Sequence, residues 1–211
     1  MVEEQELFRG GLRTVFENAG LSIVGEYRSA AAALEDQENT EEPQPGTVVL
    51  CSLTLDGWRE LVHRMLLRAP GCPILGVVDA ITEEVVMEAM MHGIQSCIDR
   101  TLPADQWVER IRNVYDGKIS AAQTVVSHPG TARRALMILS EPLDPTGLNP
   151  MAPVLSHRER LVLENVAEGV SLDMAAERMG TQEQALHETL ESACRKLVER
   201  HRLSGVLEQL R

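Results

Sequence analysis

Residues 155–210 read LSHRERLVLENVAEGVSLDMAAERMGTQEQALHETLESACRKLVERHRLSGVLEQL. Four helical patterns fit into it. The first opens at Ser156 with Glu159 three residues on, a capping box in which each side chain satisfies an orphan backbone donor. Its apolar residues Val162, Leu163 and Val166 share one face, and Gly169 follows as a left-handed stop. The second, with Ser171 as its cap, carries Leu172, Ala175, Ala176 and Met179 before Gly180. The third has a second candidate box, Thr181 with Gln184, then Leu186, Leu190, Ala193 and Leu197 at helical spacing. The fourth takes Ser204 as its cap and buries Val206, Leu207 and Leu210.

Helix, glycine turn and helix is the layout of a helix-turn-helix module, whose later helix enters the major groove. The order and spacing of LSHRERLVLENVAEG, MAAERMG, Leu186–Leu190 and Arg195–Leu197 resemble the DNA-binding domain of the LuxR/NarL/FixJ family of bacterial transcription regulators. The resemblance implies DNA binding as a dimer. The plainer alternative is a small helical bundle without a nucleic-acid role. Residues 181–192, TQEQALHETLES, hold three glutamates and no lysine or arginine, where the family usually places basic residues. Gln184, His187, Glu188 and Thr189 stand at the reading positions; glutamine can read adenine and glutamate can accept from cytosine. Arg158, Arg160, Arg195, Lys196, Arg200 and Arg202 are the candidate phosphate contacts, or equally solvated surface charges.

Charge divides unevenly. The net is −12, with eight basic and ten acidic residues from Met151 onward and twelve basic against twenty-two acidic before it. The acidity therefore lies mostly in the first part, and the second lacks the positive excess typical of phosphate binding. No apolar run is long enough to cross a bilayer and the first residues are acidic, so a cytoplasmic chain is expected. Cys51, Cys72, Cys97 and Cys194 show no metal-like spacing and read as buried reduced thiols.

Before residue 120, helical and apolar strand-like runs alternate. Helices are expected over 6–19, 29–37, 58–69, 82–92 and 104–115, and strands over 21–27, 47–53, 73–78 and 96–100. Such alternation means a parallel sheet covered by helices. The run from LFRGGLRTVF to DGKIS is similar to the receiver domain of response regulators, the usual companion of this output module. The expected fold is an α/β doubly wound parallel sheet, receiver-like with its first strand missing or truncated. An all-α four-helix helix-turn-helix domain follows. Residues 1–120 form the receiver-like domain, 121–153 a proline-bearing linker with a short helix over 131–139, and 154–211 the helical domain.

The receiver resemblance implies a phospho-acceptor aspartate, an acidic pair that holds Mg²⁺, a hydroxyl after the fourth strand and a lysine after the fifth. Ser52, Val78 and Arg100 stand at three of those places, Cys97 replaces the switch aromatic, and Thr54–Gly57 is a short loop. Glu3 and Glu4 are a remnant acidic pair, and Asp56 and Asp99 read as solvated carboxylates. No phosphorylation, metal or cofactor is expected. Only Met1 and Val2 precede the acidic pair, where the family has a strand of about five residues at the usual 4.8 Å spacing. Three readings stay open: a start further upstream, direct pairing of 21–27 with 47–53, or a second copy filling the gap.

Two functions follow. One is an atypical, phosphorylation-independent transcriptional regulator that binds DNA as a homodimer through its receiver-like domain, with Met87, Met91 and the helix bearing Trp107 as the apolar dimer face. The other is a protein-interaction adaptor, engaging another regulator, that has lost DNA binding. Six scattered histidines and no nucleophile–base pair argue against an enzyme.

Overall fold

The computed structural model describes residues 1–39, 46–141 and 154–209. Among them stand three strands and ten helices in the order α1 (Glu6–Asn18), α2 (Ala30–Asn39), β1 (Val49–Ser52), α3 (Trp58–Arg68), β2 (Ile74–Val78), α4 (Glu83–Met91), β3 (Ser96–Asp99), α5 (Ala104–Tyr115), α6 (Ala121–Ser127), α7 (Pro129–Ser140), α8 (His157–Ala167), α9 (Leu172–Met179) and α10 (Glu183–Gln209). They divide into two compact units. The first is Met1–Ile81 with His92–Ile119; the second is Thr82–Met91 with Ser120–Arg211.

In the first unit β1, β2 and β3 form a parallel sheet in that order, with Cys51 opposite Gly76 and Gly76 opposite Cys97. β1 and β2 are buried at every position, as their unbroken apolar runs require. Leu12 and Phe16 of α1 and Trp107, Ile111 and Val114 of α5 pack on Leu50, Leu75, Val77 and Ile98. The Trp107 indole donates to the carbonyl of Leu102 at 3.0 Å, so its buried polar edge is satisfied. The helix α1 stops at Ala19, where Gly20 turns into the left-handed region at φ 75°.

The first-strand position is held by a very short segment. Val2 bridges both Tyr27 and Cys51, all in parallel. The Val2 amide donates to Leu50 O (2.8 Å) and Ser52 N donates to Val2 O (3.0 Å). On the other side, Tyr27 N donates to Met1 O (2.9 Å) and Glu3 N donates to Tyr27 O (3.0 Å). Direct pairing of 21–27 with 47–53 is thus excluded, because Met1–Glu3 lies between them. The strand expected over 21–27 is also corrected. Its neighbour offers only three residues of main chain, so Tyr27 alone finds a bridge and residues 21–26 join no ladder.

The second unit is all helical. The Ser156–Glu159 capping box forms as expected, with Glu159 N donating to Ser156 Oγ (3.2 Å) and Ser156 N donating to Glu159 Oε2 (2.6 Å). Gly169 and Gly180 stop α8 and α9 with φ of 81° and 61°. Three expectations fail. Ser171 stands at the N-cap position of α9 without capping it through its side chain. The Thr181–Gln184 box does not form: Thr181 Oγ1 accepts from Arg158 (3.0 Å), and Gln184 donates to Glu188 (3.4 Å). The third and fourth helices are one, α10, so the four-helix count is corrected to α8, α9 and α10. Ser204 lies inside α10, its hydroxyl donating back to Arg200 O at 3.1 Å instead of capping a new helix. In the expected linker, the short helix over 131–139 is the longer α7, preceded by α6. Prolines 142, 145, 150 and 153, and Leu210, lie outside the described residues.

Candidate functional sites: the Glu3, Ser52 and Arg100 pocket and helix α10

At the carboxyl ends of the strands, Glu3, Ser52 and Arg100 converge. Glu3 is 1% exposed, and its Oε1 accepts from Arg100 Nη1 (2.9 Å) and from the Gln5 amide (2.9 Å). Arg100 Nη2 donates to Ser52 Oγ at 3.1 Å, and Ser52 Oγ lies 2.9 Å from Thr54 Oγ1. Asp79 Oδ1 is 2.9 Å from Arg100 Nε. That nitrogen nonetheless lacks a properly directed acceptor, so the contact is ionic attraction without a hydrogen bond. Beneath the guanidinium sits the Phe8 ring, 5.0 Å from its centre, itself edge-on to Trp107. Arg9 reaches from α1 to the Glu3 carbonyl (2.7 Å) and fixes the backbone there. Glu3 Oε2 is buried and unpartnered.

Local sequence explains the placement. Arg100 follows β3 directly, and its amide donates to Val78 O (2.8 Å), extending the ladder by one residue. Ser52 ends β1, fully buried. Its hydroxyl is held by neighbours, and no general base stands among them. The Glu3 carboxylate is hydrogen-bonded directly to the Arg100 guanidinium, and the more exposed Asp79 carboxylate lies beside the same group.

The remaining pocket candidates are dispersed. Glu4 and Asp56 are exposed, so the acidic pair is reduced to Glu3 alone. Asp99 accepts from the hydroxyl (2.6 Å) and amide (2.7 Å) of Thr101, and these bonds hold its pKa below the usual carboxylate range. Val78 and Cys97 are buried, and burial pushes the Cys97 thiol up to about 12. All four cysteines are buried and unpaired with one another. Among the described residues no group of three or more His, Cys, Asp or Glu is placed to hold a metal.

The helical unit uses many of its polar side chains internally. Glu159, 4% exposed, accepts from Lys196 Nζ (2.6 Å) and Ser192 Oγ (2.7 Å) besides its cap. Burial alone raises its pKa, but the Lys196, Ser156 and Ser192 hydrogen bonds outweigh that and bring it to about 2. Lys196 also donates to Val154 O (2.8 Å). Arg200 is 7% exposed and donates to Glu141 O at 2.6 Å, and burial lowers its pKa. On α10, His187 Nε2 lies 3.2 Å from Ser120 Oγ, and Glu191 Oε1 accepts from Ala122 N at 2.9 Å. Two side chains of the expected reading helix therefore bind the first turn of α6, and Leu186 and Leu190, the residue before each of them, are completely buried.

No family model matches the sequence, and no curated protein matches it. Solved structures with similar arrangements do exist. The RcsB response regulator of Salmonella typhimurium is 16% identical, with 93% of this chain and 89% of that chain covered and a TM-score of 0.48. Full-length FixJ from B. japonicum is 17% identical over 97% of this chain and 95% of that one, with a TM-score of 0.46. A CheY-like receiver domain protein from Methanospirillum hungatei JF-1 is 17% identical over 55% of this chain and 90% of that chain, with a TM-score of 0.48.

The structure brings together Glu3, Ser52 and Arg100, with Val78 in the adjoining core. It leaves Gln184, Glu188, Arg158 and Arg195 on the surface. It withdraws Lys196 and Arg200 from the list of free phosphate contacts, since both are bound to groups of their own unit. Of the apolar dimer face expected from Met87, Met91 and the helix bearing Trp107, Met87 and Trp107 are each 1% exposed and fill the interior of their own units, while Met91 is half-buried. Sequence reading missed Phe8, Arg9 and Asp79 around Arg100, and Ser120 and Ala122 beside α10. The Phe8-Arg9 pair was legible as part of the amphipathic first turns of α1; contacts 37 residues apart, such as Glu159 with Lys196, leave no local signal.

Proposed function

We propose that the chain is a phosphorylation-independent transcriptional regulator. In this reading the receiver-like part, residues 1–120, dimerises constitutively, and the LuxR-type helical part, residues 154–211, binds DNA. The observation that carries the first half is the Arg100 bridge from Glu3 to Ser52. An arginine already neutralised by a buried carboxylate leaves no site for a phosphoryl group and its metal. A serine alcohol is also a far poorer acceptor than a carboxylate and cannot form an acyl phosphate. Support for the second half is the helix-turn-helix layout, with Gln184, Glu188, Arg158 and Arg195 exposed on the output module. The LuxR/NarL/FixJ resemblance supplies the expected target, duplex DNA.

Incubation with acetyl phosphate, followed by intact-mass spectrometry, tests the pocket. Neither the wild type nor Ser52→Asp should gain a phosphoryl group, because Val78 and Arg100 still lack the needed ligands. A stoichiometric phosphoaspartate in Ser52→Asp would overturn the reading. Sedimentation at tens of micromolar should show a dimer, and a monomer there would reject that part.

A second reading is favoured by the engagement of His187 and Glu191 with α6 and by the inward use of Lys196 and Arg200. It makes the helical part a protein-interaction adaptor. A partner captured through residues 155–211, and lost on substituting Gln184 and Glu188, would decide for it.

A further inference from the structure

Along the first turns of α10 the side chains fall into stripes. Leu186, Leu190 and Ala193 are buried in the core of the helical unit, whereas Gln184, Glu188 and Arg195 are exposed. Helical spacing puts a third stripe, His187, Glu191 and Cys194, between those two, and α6 lies along it. The Ala122 amide donates to Glu191 Oε1 (2.9 Å), and Ser120 Oγ lies 3.2 Å from His187 Nε2. Val125 meets Ala193 and Cys194 around one small internal void. On the opposite flank of α10, Ser192 and Lys196 are bound to Glu159 of α8. Flanked on both sides, α10 shows solvent one narrow stripe.

That stripe is less than a groove-reading helix needs. The major groove is about 12 Å wide and takes one α-helix, itself about 10–12 Å across with its side chains. A second helix packed alongside, at about 8–10 Å between axes, does not enter with it. Here the second helix is seated on His187, one of the expected reading positions. It is also weakly held on its own account. The helix α6 has seven residues, Ala121–Ser127, and one so short does not persist without tertiary support. Its side-chain cap is Ser120, whose Oγ accepts from Gln123 N (3.3 Å), and the Ala122 amide is satisfied by α10 itself.

We propose that α6 is a built-in cover on α10. With α6 seated the protein is closed to duplex DNA, and α10 enters a groove only after α6 leaves the His187 and Glu191 stripe. This rests on the DNA-binding reading of α10, and adds to it a control that does not pass through the Glu3, Ser52 and Arg100 pocket. A closed molecule is unavailable to DNA, so the apparent dissociation constant is the intrinsic one divided by the open fraction. Loosening α6 therefore tightens DNA binding, the opposite of what losing a supporting helix does.

The test compares the full wild-type chain with Ser120→Ala and Gln123→Pro. Ser120→Ala removes both the cap and the partner of His187. Gln123→Pro removes the capped amide and disfavours helical backbone at Ala122. The Gln123 side chain is exposed, and both changes keep the net charge and every side chain of α10. In fluorescence anisotropy with genomic duplex fragments at about 50 mM salt, Gln123→Pro should bind at least about tenfold tighter than the wild type, with Ser120→Ala between them. Hydrogen exchange of the wild type needs neither variant: the amides of residues 122–127 should lose protection when the same duplex is added in excess. Wild-type α6 that keeps its protection in the DNA complex, or variants that bind no tighter than a wild type that does bind, would overturn the cover and leave DNA reading by α10 standing. No binding by any of the three would overturn the DNA-binding reading and the cover together.

Discussion

Arg100 sits on the Phe8 ring with its Nη1 on a carboxylate that is 1% exposed. Removing one partner of a buried ion pair leaves the other charge stranded, typically at about 3–5 kcal/mol. Arg100→Ala should therefore lower unfolding free energy by about that much, read by denaturant titration. Glu3→Leu combined with Arg100→Met should recover most of the loss, because no lone charge remains. A loss below about 1 kcal/mol in Arg100→Ala would show that Glu3 is neutralised elsewhere. Glu159 makes a pH-dependent statement of the same kind. Its folded pKa, about 2, lies below the ordinary 4.5, so its contribution is full above about pH 4.5 and is lost as pH falls toward 2. About 2–3 kcal/mol of stability should disappear across that window and be absent from Glu159→Gln, as followed by denaturant titration at each pH.

Elements were legible in proportion to how local their causes are. The Ser156–Glu159 box, the glycine stops at 169 and 180, and the buried runs of β1 and β2 are written within a few residues of themselves, and each formed. The strand over 21–27 depended on a partner of sufficient length, which periodicity cannot show, and only Tyr27 paired. Ser204 looked like a cap because serine favours helix starts, yet α10 runs through it as a continuous helix. That distinction is measurable. Were Ser204 a cap, Ser204→Ala would cost about 1 kcal/mol; within a helix the change should be neutral or stabilising by a few tenths of a kcal/mol. Thermal unfolding of the full chain reads the sign directly. Of the candidate sites, the pocket residues were readable because each strand end carries one. The inward turn of Lys196 and Arg200 was not, since their acceptors, Glu159 and Glu141, lie far off in sequence.

At the scale of the whole molecule, a net charge of −12 opposes association with a polyanion, and the exposed Gln184–Glu188 face adds to the opposition. The DNA binding proposed for the helical unit should therefore be salt-sensitive, and weak without sequence contacts. Replacing Glu188 with lysine should raise affinity for any duplex and steepen the log–log salt slope by up to about one unit, because one phosphate contact is gained. Gln184→Ala should instead change preference among sequences, its side chain being exposed on the same turn.

The most direct measurement is fluorescence anisotropy of the full chain on genomic fragments at roughly 50 and 200 mM salt, with and without acetyl phosphate. The predicted result is preference for some fragments over a scrambled duplex at the lower salt, a steep loss at the higher, and no response to acetyl phosphate at either. Binding enhanced by acetyl phosphate would contradict the closed pocket of Glu3, Ser52 and Arg100. Equal affinity for every duplex, or none at the lower salt, would contradict DNA recognition by α10.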